Sequence, residues 1–566
     1  MSVITIRFTN TMEQKNCTSC GLNFTIYDED LKFYEKVSPQ FNGQKCLLPS
    51  PTLCPDCRQQ RRLSWRNERS LYKRTCDFTK KNIISMYSPD KPVKVYSNDI
   101  WWSDKWDPME YGRDFDFFRP FFEQFAELQK EVPRIALFQK NAENSEYVNH
   151  CDDLKNCYLT VDTGFSEDVF YSKWIIKCRD LADTFQMEDA ELCYETQYSV
   201  GNFNCIYTFL SDYSNDCVFL FSSDHCSNCI FSHNINHKKY YIFNKPASEQ
   251  VYLEMRNNMK SYKKFEKYRS RFIDMLNTKA IHRANTFIRA EDCTGEYMYN
   301  CKNIKDSFDV IESQDCRYCY DAGHMKDCYD AYENAFNCEL QYDCHACNRG
   351  VSTLFCHVSY DVNNMIYSDS CHNSSDLFGC IGLRHKKYCI LNKQYTKEQY
   401  EELVPKIIEH MRRTGEWGEF FPVKLSPFAY NETVAMEYYP IIKEQALSKD
   451  FRWFDNDSKN CFPQTYQIPD NIDDVPDSIS NEVLSCINCQ NNYRIIAPEL
   501  KLYKKIGVPI PRKCPDCRHL DRMALSTPRK LFDNNCKNCG KKIRTSFSPD
   551  RPDIVYCEDC YRQYTY

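Results

Sequence analysis

"CIYTFLSDYSND" (205–216) and "CVFLFSSDHCSN" (217–228) are two copies of one twelve-residue repeat, and this repeat decides the fold class. Seven copies stand in register between residues 157 and 240. Their first position is always apolar, and five of the seven are Cys. The residue before it is Asn or Asp in six copies, with Leu192 as the exception, which is typical of a short strand entered through an Asx turn. We therefore predict a mainly β chain that forms a parallel β-solenoid of about twelve-residue repeats.

The width of one solenoid turn is a separate question. A turn of twelve residues is too thin to enclose Tyr and Phe side chains, so we expect two repeats, or about 24 residues, per turn. The cysteines of the first column would then form an inward ladder of small apolar side chains.

A second array repeats the first with a looser register, between about residues 290 and 393. "HKKYYIFNK" (237–245) closes the first array and "HKKYCILNK" (385–393) closes the second. A helix is predicted after each, and Thr396 with Gln399 forms a capping box at the start of the second. Such a helix would cover the open edge of the solenoid.

Paired CxxC motifs stand at both ends of the chain. Two such knuckles supply the four thiolates that a structural zinc ion requires. We predict three Zn²⁺ sites with these ligand sets: Cys17, Cys20, Cys54 and Cys57; Cys486, Cys489, Cys514 and Cys517; Cys536, Cys539, Cys557 and Cys560. A rubredoxin-like iron site and a redox CxxC pair are the alternatives, and the absence of a βαβ pattern disfavours the redox pair.

The two ends of the chain align without a gap at an offset of 460 residues, which pairs Cys54 with Cys514 and Cys76 with Cys536. The other three ligands of the last site become Thr79, Ser97 and Ile100. The N-terminal copy therefore keeps one zinc site and has lost the second. We expect the segment "IWWSDKW" (100–106) to pack over the side that has lost its metal.

Composition indicates a soluble globular protein in a reducing compartment. The 566 residues carry a net charge of -6 and 35 cysteines, without a signal-like start or an apolar run of membrane-spanning length. We expect a cytoplasmic protein with reduced cysteines and no membrane partner. The predicted domains are a zinc-ribbon-like module 1–110, a linker helix 111–145, solenoid array 146–245, a helical cap 246–289, solenoid array 290–393, a helical cap with acidic hinge 394–480, and a tandem zinc-ribbon module 481–566.

A dense basic run follows the second knuckle and suggests a nucleic-acid partner. Between residues 58 and 74 seven cations face one acid, which is a local charge of +6. Aromatic residues are interleaved and could stack on bases. The predicted RNA- or DNA-binding residues are Arg58, Arg61, Arg62, Trp65, Arg66, Arg69, Tyr72, Lys73 and Arg74. A solvated basic helix, or one paired with the protein's own acids, is the simpler interpretation.

Two other functions stay open. The long regular faces of a solenoid suit a protein-interaction scaffold. Parallel β-helices also include enzymes that act on polysaccharides, and Asp162, Asp183, Glu188 and Glu195 are available carboxylates, but nothing in the sequence shows a converging pair. The sequence lacks the common catalytic and nucleotide-binding motifs, so we lean against an enzyme.

Three groups inside the arrays combine Cys with His and could hold extra metal. They are His225 with Cys226 and Cys229, Cys344 with His345 and Cys347, and Cys371 with His372. Small buried thiols are the simpler interpretation. A helix is also predicted within 112–133, on "FRPFFEQFAELQKEV" (118–132), with Pro120 near its first turn and Phe121, Phe122, Phe125 and Leu128 on its core face.

The order of these parts resembles a set of uncharacterised bacterial proteins of the candidate-phyla type. The resemblance rests on "CPDCRQQRRLSWRNERSLYKR" (54–74), "SMYSPDKP" (85–92), "WWSDKWDPMEYGRDFDFFRPFFEQF" (101–125) and Cys-rich repeats that end in "YYIFNKP" (240–246). It covers nearly the whole chain. The resemblance implies zinc-ribbon ends that flank a β-solenoid, and it implies no established activity.

Overall fold

The computed structural model describes residues 12–333, 337–455 and 461–565. The α-helices are α1 Asp28–Val37, α2 Pro55–Leu63, α3 Asn98–Trp101, α4 Phe121–Glu131, α5 Glu249–Asn258, α6 Tyr262–Thr278, α7 Lys397–Thr414, α8 Ala435–Tyr438, α9 Lys443–Ser448, α10 Ala497–Ile506, α11 Pro515–Leu525 and α12 Glu558–Thr565. Within the described ranges, no helix combines the length and the apolar character needed to cross a membrane.

Most of the regular structure is β. The strands before the first array are β1 Glu13–Asn16, β2 Asn23–Ile26, β3 Gln40–Phe41, β4 Gln44–Lys45, β5 Tyr72–Thr75, β6 Asn82–Ser85, β7 Val95–Tyr96 and β8 Arg134–Ile135. Those of the first array are β9 Gln139–Glu143, β10 Cys151–Lys155, β11 Val161–Phe170, β12 Lys173–Ile176, β13 Arg179–Ala182, β14 Phe185–Glu188, β15 Glu191–Tyr194, β16 Gln197–Val200, β17 Ile206–Phe209, β18 Val218–Phe221, β19 Ile230–His233, β20 Tyr241–Ile242 and β21 Lys245–Pro246.

The remaining strands belong to the second array and the C-terminal segment. They are β22 Ile281–Arg283, β23 Phe287–Ile288, β24 Gly295–Tyr299, β25 Lys302–Lys305, β26 Ser307–Ile311, β27 Gln314–Arg317, β28 Tyr320–Gly323, β29 Met325–Tyr332, β30 Cys338–Asn348, β31 Val351–Leu354, β32 His357–Tyr360, β33 Asn363–Ile366, β34 Ser375–Phe378, β35 Lys387–Ile390, β36 Lys393–Gln394, β37 Leu484–Ser485, β38 Asn492–Tyr493, β39 Phe532–Asn535, β40 Lys542–Thr545 and β41 Ile554–Tyr556.

The chain forms two compact units, and each combines one array with one cysteine-rich end. The first unit joins Met1–Ala136 to Thr286–Phe454, and the second joins Leu137–Asn285 to Asp455–Tyr566. The N-terminal module therefore belongs with the second array, and the C-terminal module belongs with the first array.

Parallel pairing dominates both arrays. In the first array, strands β11 to β17 pair in the order β15-β13-β11-β12-β14-β16-β17, and β17 pairs with β15. The pairing closes a ring of seven parallel strands. The prediction of a mainly β chain with parallel sheets is confirmed, but the structure shows a closed parallel ring where the sequence predicts an open solenoid.

The expected 24-residue turn is wrong, because the strands of the first array pair residues twelve positions apart. Examples are Val161 with Lys173 and Val218 with Ile230. The second array keeps this step over most of its length and lengthens it to thirteen between β29 and β30, where Ala331 pairs with Cys344. The spacing of twelve residues is possible because the side chains of Tyr and Phe do not lie inside the array.

Small side chains fill the interior, and one of them points inward at every third residue. Cys205, Thr208, Ser211 and Ser214 are successive examples, each at most 1 % exposed. The residue before each inward position has a positive φ, as at Asn204, where φ is 51°. Asn and Asp tolerate this left-handed conformation better than other non-glycine residues, which explains their recurrence before the inward column.

The aromatic residues lie on the outside of the arrays and are buried by helices. The ring centroid of Phe219 lies 5.5 Å from that of Phe265 and 5.4 Å from that of Phe272, both on α6. In the other unit, Phe121 of α4 packs 5.3 Å from Tyr367 of the second array. The buried faces of α4 and α6 therefore add apolar contacts outside the thin interior.

The predicted helices agree with the structure in most respects. Helix α4 begins directly after Pro120, and its four predicted core residues are buried. Helix α7 begins at the capping box, in which Gln399 N donates to Thr396 Oγ1 and Thr396 N donates to Gln399 Oε1. The long helix expected after the first array is instead two helices, α5 and α6, separated at Met259–Ser261.

Candidate metal centres and arginine clamps

The first predicted metal site forms where a β-hairpin meets the start of a helix. Cys17 and Cys20 lie in the turn between β1 and β2, while Cys54 caps α2 and Cys57 lies in its first turn. The four sulfur atoms lie within 4.8 Å of one another, and Cys20 Sγ is 3.7 Å from Cys54 Sγ. A tetrahedral zinc ion with Zn–S bonds of about 2.3 Å sets its sulfurs about 3.8 Å apart. The arrangement fits a tetrahedral thiolate-bound metal.

The C-terminal module brings together both of its predicted sets. Cys489 Sγ lies 3.6 Å from Cys514 Sγ in one, and Cys539 Sγ lies 3.7 Å from Cys557 Sγ in the other. The four sulfurs of each set again lie within 4.8 Å of one another. All twelve predicted ligands therefore fall into three four-cysteine groups that could hold metal ions.

Backbone N–H groups favour the thiolate form at one cysteine of each set. Burial opposes ionisation of Cys17, Cys486 and Cys536, but N–H donors from the knuckles lower the pKa of each thiol to about 6. A thiolate is the form that binds a metal. The knuckles are thus arranged to supply ligands, whichever thiophilic metal they take.

The degenerate half of the N-terminal module keeps the shape of a knuckle around Cys76. Thr79 N and Ser97 N lie 3.4 and 3.3 Å from Cys76 Sγ, just as Cys557 N lies 3.2 Å from Cys536 Sγ. Burial raises the pKa of this thiol, but the N–H and hydroxyl donors lower it to about 7. The backbone of this half-site therefore keeps the knuckle conformation, although three of its four cysteines are replaced.

The "IWWSDKW" segment buries two tryptophans beside this half-site. Trp101 is 1 % and Trp106 is 8 % exposed, and their ring centroids are 5.9 Å apart. Trp101 also packs 5.5 Å from His372 of the second array. The segment thus forms part of the core between the module and the array.

The basic run 58–74 does not present its predicted side chains to solvent. Five of the nine predicted nucleic-acid-binding residues are buried, each at most 8 % exposed: Arg58, Arg61, Arg62, Trp65 and Arg66. Buried guanidinium groups require carboxylate partners, because an isolated charge is costly in a low dielectric. The expectation that these five form an open phosphate-binding surface is wrong.

The partners of the arginines are acids of the second array. Arg62 Nη1 donates to Asp343 Oδ1 at 2.7 Å, and its Nη2 lies 3.2 Å from Asp330 Oδ1. Arg61 Nη2 donates to Asp343 Oδ2 at 2.8 Å. Arg58 Nη2 lies 3.0 Å from Asp330 Oδ2. We call this group, Arg58, Arg61 and Arg62 with Asp330 and Asp343, the N-terminal clamp.

The residues after α2 extend the same contact. Trp65 packs between aromatic residues, with its ring centroid 5.0 Å from that of Phe421, and His357 Nε2 donates to the Trp65 carbonyl at 3.0 Å. Arg66 pairs with Glu68 at 2.7 Å and with Glu333. This stretch therefore continues the interface between module and array.

The last four predicted residues are less buried. Tyr72 is half-buried, and its hydroxyl donates to Glu432 Oε1 at 2.7 Å. Arg74 donates to the carbonyl oxygen of Ser88 at 3.1 Å. Arg69 is half-buried and Lys73 is exposed. These four residues alone do not form the predicted nucleic-acid-binding surface.

The C-terminal module makes a matching contact with the first array. Arg522 Nη1 donates to Asp183 Oδ1 at 2.7 Å, and Arg518 Nε lies 2.9 Å from Asp183 Oδ2. Arg518 also lies over Tyr171, 4.8 Å from its ring centroid, as Arg58 lies over Tyr318 at 5.2 Å. We call Arg518 and Arg522 with Asp183 and Glu195 the C-terminal clamp.

Two carboxyl groups of the second unit are buried deeply enough to hold protons near neutrality. Burial raises the pKa of Glu195 to about 7, although Arg522 3.6 Å away opposes this. Burial likewise raises the pKa of Glu499 to about 7, against Arg518 and the hydroxyls of Tyr503 and Tyr171. Glu195 of the C-terminal clamp and the neighbouring Glu499 are therefore acids that ionise within the physiological range.

Sequence reasoning missed the acidic half of both clamps. Asp183 and Asp330 occupy equivalent corner positions of the two arrays, where φ is 56° in each. The next corner in the same column carries Glu195 in one array and Asp343 in the other. A sequence pattern could have predicted the clamps. Each array has two acids one repeat apart, and each CPDC helix has two arginines one helical turn apart. Asp183 and Glu195, considered as possible catalytic carboxylates, contact arginines instead.

The mixed Cys and His groups inside the arrays are split by the three-residue period. Cys226 points inward and is 1 % exposed, whereas its neighbour His225 is exposed and stacks on Tyr213 at 5.3 Å. Cys344 likewise points inward, and His345 faces Arg66 with its Nε2 3.3 Å from Arg66 Nη1. Adjacent residues in a repeat thus cannot direct both ligands to one metal.

Comparisons with known proteins add little to this geometry. No family model matches the chain. No curated protein matches it either. Among solved structures, the chain is similar to the crystal structure of a proposed acetyltransferase from Desulfovibrio desulfuricans G20, at 9 % identity over 49 % of this chain and 81 % of that chain, with a TM-score of 0.11. So low a TM-score supports no statement about fold or function, and the resemblance to candidate-phyla proteins stays a prediction.

Proposed function

We propose that the protein is a zinc-stabilised, non-catalytic binding protein in which two solenoid arrays serve as protein-interaction scaffolds. The observation that carries the proposal is the burial of the module arginines. Arg58, Arg61 and Arg62 are paired with acids of the array. The zinc modules therefore have a structural role, because their arginines attach them to the arrays. Exposed array faces are then left as the surfaces for partners.

The solenoid interpretation is supported by the constant step between paired residues. A twelve-residue advance per strand spacing, with one inward side chain in every three, is the geometry of a thin four-sided coil. The seven-strand ring is compatible with such a coil, because β11 has ten residues and pairs with both β12 and β13.

One face of the first array is open and carries apolar side chains. Phe165, Ile176, Phe203 and Tyr213 are 61, 38, 42 and 53 % exposed. A shallow depression of about 530 Å³ beside Phe165 is lined by Lys177, Arg179 and acidic neighbours. Aromatic side chains within a charged rim are typical of protein-binding surfaces.

A crosslinking pull-down tests the scaffold. The intact protein with a photoreactive group at Asn215, which is exposed beside Tyr213, should capture a defined protein partner from its native lysate. A Phe165→Ser and Tyr213→Ser variant should lose that partner. The control, Leu253→Ser, removes a side chain that is 56 % exposed on α5 and should keep it. If both variants capture the same proteins as the native chain, this face is not the scaffold surface.

The zinc part of the proposal has its own test. Native mass spectrometry of protein purified without added metal should show three zinc ions per chain. Fewer than two would remove the basis for calling the modules zinc-stabilised. Iron in the same sites would replace zinc in the proposal without changing the ligands.

A further inference from the structure

The two CPDC helices differ in how much of each is covered. At the offset of 460 residues, positions 60–68 of the N-terminal module correspond to 520–528 of the C-terminal module. Every residue of 60–68 is buried, whereas 520–528 contains one buried residue, Arg522 of the C-terminal clamp. The same helix is therefore enclosed in the first unit and open on one side in the second.

The cover of α2 is a segment of the same unit, residues 425–439, which we call the strap. Ser426 Oγ donates to the carbonyl oxygen of Ser64 at 2.8 Å, and Val434 N donates to the carbonyl oxygen of Arg66 at 3.0 Å. Carbonyl groups at the end of a helix have no partners inside the helix. The strap therefore supplies hydrogen bonds where α2 ends.

The strap also brings aromatic side chains onto the module. Gln60 Nε2 donates to the Tyr430 hydroxyl at 2.8 Å, and Tyr430 is 1 % exposed. The ring of Phe428 stacks on that of Tyr87, with 5.2 Å between the two centroids. The cover of α2 thus combines aromatic contacts with hydrogen bonds to the end of the helix.

In the part of the chain that the structure describes, α11 has no such cover over the equivalent positions. Leu520 stands where α2 has Gln60, and it is 56 % exposed. Ala524, one helical turn later, is exposed as well. Both lie on the side of α11 opposite Arg518 and Arg522, since helix positions two apart point about 200° apart. The clamp therefore uses one side of α11 and leaves the other side open.

Two hydroxyl groups at the end of α11 add a second observation. Ser526 Oγ and Thr527 Oγ1 are buried, and among the described residues neither has a hydrogen-bond partner. Ser526 is the equivalent of Arg66, whose carbonyl oxygen accepts from the strap. Buried polar groups in native proteins nearly always have partners. The unsatisfied hydroxyls therefore favour a binding partner at the same end of the helix.

We propose that the open side of α11, formed by Leu520, Ala524 and the turn at Ser526, binds an aromatic-rich segment of a partner protein, as the strap binds α2. Leu520 cannot form the hydrogen bond of Gln60, so the partner would place an apolar or aromatic side chain on it. Burial of an exposed leucine favours such a contact, and aromatic side chains are the commonest anchors of protein interfaces.

A different protein, rather than a second copy of this chain, is the expected partner. The strap of a second copy is held on its own α2, where Phe428, Tyr430 and Val434 are each at most 3 % exposed. The open side of α11 shares no residue with the scaffold surface of the first array. Either proposal can therefore fail alone.

Fluorescence anisotropy with a labelled peptide of the strap, "LSPFAYNETVAMEYY" (425–439), tests the site on the full chain. The native chain should bind the peptide saturably at micromolar concentrations, because α11 repeats the helix that the strap covers. A Leu520→Asp and Ala524→Asp variant, which leaves α2 unchanged, should bind the peptide at least about tenfold more weakly. A Phe428→Ala and Tyr430→Ala peptide should lose at least about tenfold in affinity for the native chain.

Leu253→Asp is the matched control, because Leu253 on α5 has the same exposed fraction of 56 %. It should keep the native affinity within about twofold, and so should the Phe165→Ser and Tyr213→Ser variant of the scaffold surface. Melting temperatures confirm the folding of every variant.

Four results would overturn the proposal. The native chain could fail to bind the peptide, or the Leu520→Asp and Ala524→Asp variant could bind it unchanged. The alanine peptide could bind as well as the native peptide, or Leu253→Asp could weaken binding equally. A native dimer that the Leu520→Asp and Ala524→Asp variant dissociates would also overturn it, because the partner would then be a second copy.

Discussion

Arg62 of α2, the helix that begins at the second CxxC knuckle, donates to Asp343 of the second array at 2.7 Å, and both side chains are buried. The equivalent arginine of the C-terminal module, Arg522, donates to Asp183 of the first array at the same distance. The two units therefore use one device twice, an arginine from a CPDC helix and an acid from a positive-φ corner of the array.

The buried clamp should be far more important for stability than any surface ion pair. Changing Asp343 to Asn leaves Arg61 and Arg62 without their shared carboxylate in a buried site, and we expect a loss of about 3–5 kcal/mol in the free energy of unfolding. Chemical denaturation measures this loss. Glu402→Gln, which removes an exposed pair with Lys406 on α7, should cost less than about 1 kcal/mol. If Asp343→Asn and Glu402→Gln reduced the free energy of unfolding equally, the clamp would not be a major contributor to stability.

Removing one cysteine from each metal set should remove one metal ion. Cys57→Ser and Cys560→Ser should each lower the zinc content from three to two per chain, since three thiolates hold a structural zinc ion poorly. Native mass spectrometry gives the count. Cys76→Ser is the matched control, a buried knuckle cysteine without three partner thiols, and it should keep all three ions. Loss of a zinc ion from Cys76→Ser would show that Cys76 binds a metal, although the structure gives it only half of a site.

The raised pKa of Glu499 predicts a defined pH dependence. Its pKa is about 7 in the folded chain against an ordinary value of 4.5, so the folded state holds the proton more tightly. The contribution of Glu499 to stability is therefore fully present below pH 4.5 and is lost as the pH rises through 7. Between pH 5.5 and 8.5 the native protein should lose about 2 kcal/mol relative to Glu499→Gln.

Urea unfolding at several pH values in zinc-containing buffer tests the Glu499 prediction. The exposed variant Glu254→Gln should follow the native pH profile. A Glu499→Gln profile parallel to the native one would show that the carboxyl group is already ionised in the folded protein.

The three-residue period of the arrays predicts opposite results for two adjacent positions. Ser214 points inward and is fully buried, whereas Asn215 is exposed. Ser214→Phe should overfill the narrow interior of the array and cost about 3 kcal/mol or more, and Asn215→Phe should change stability by less than about 0.5 kcal/mol. Thermal unfolding compares them. Similar melting temperatures would mean that the interior is wide enough for aromatic residues, as the 24-residue turn would require.

Sequence patterns predicted the parts that depend on local spacing. The CxxC pairs located all twelve thiols of the metal groups, and the capping box located the start of α7, because both are set by residues a few positions apart. The size of the turn was mispredicted, because column analysis shows which positions stack but does not show that Tyr and Phe lie outside. The basic run was mispredicted because its partners, such as Asp330 and Asp343, are more than 260 residues away.

The most direct test of the account is hydrogen exchange, followed by mass spectrometry, on Asp330→Asn and Asp183→Asn. Each acid anchors one clamp, so Asp330→Asn should raise exchange in α2 and in β29–β30, and Asp183→Asn should raise exchange in α11 and in β13–β15. In each variant the other clamp should keep its native protection. Unchanged protection of α2 in Asp330→Asn, or loss of protection in α2 and α11 alike in both variants, would contradict the claim that each cysteine-rich module is held to its own array by these arginine–aspartate pairs.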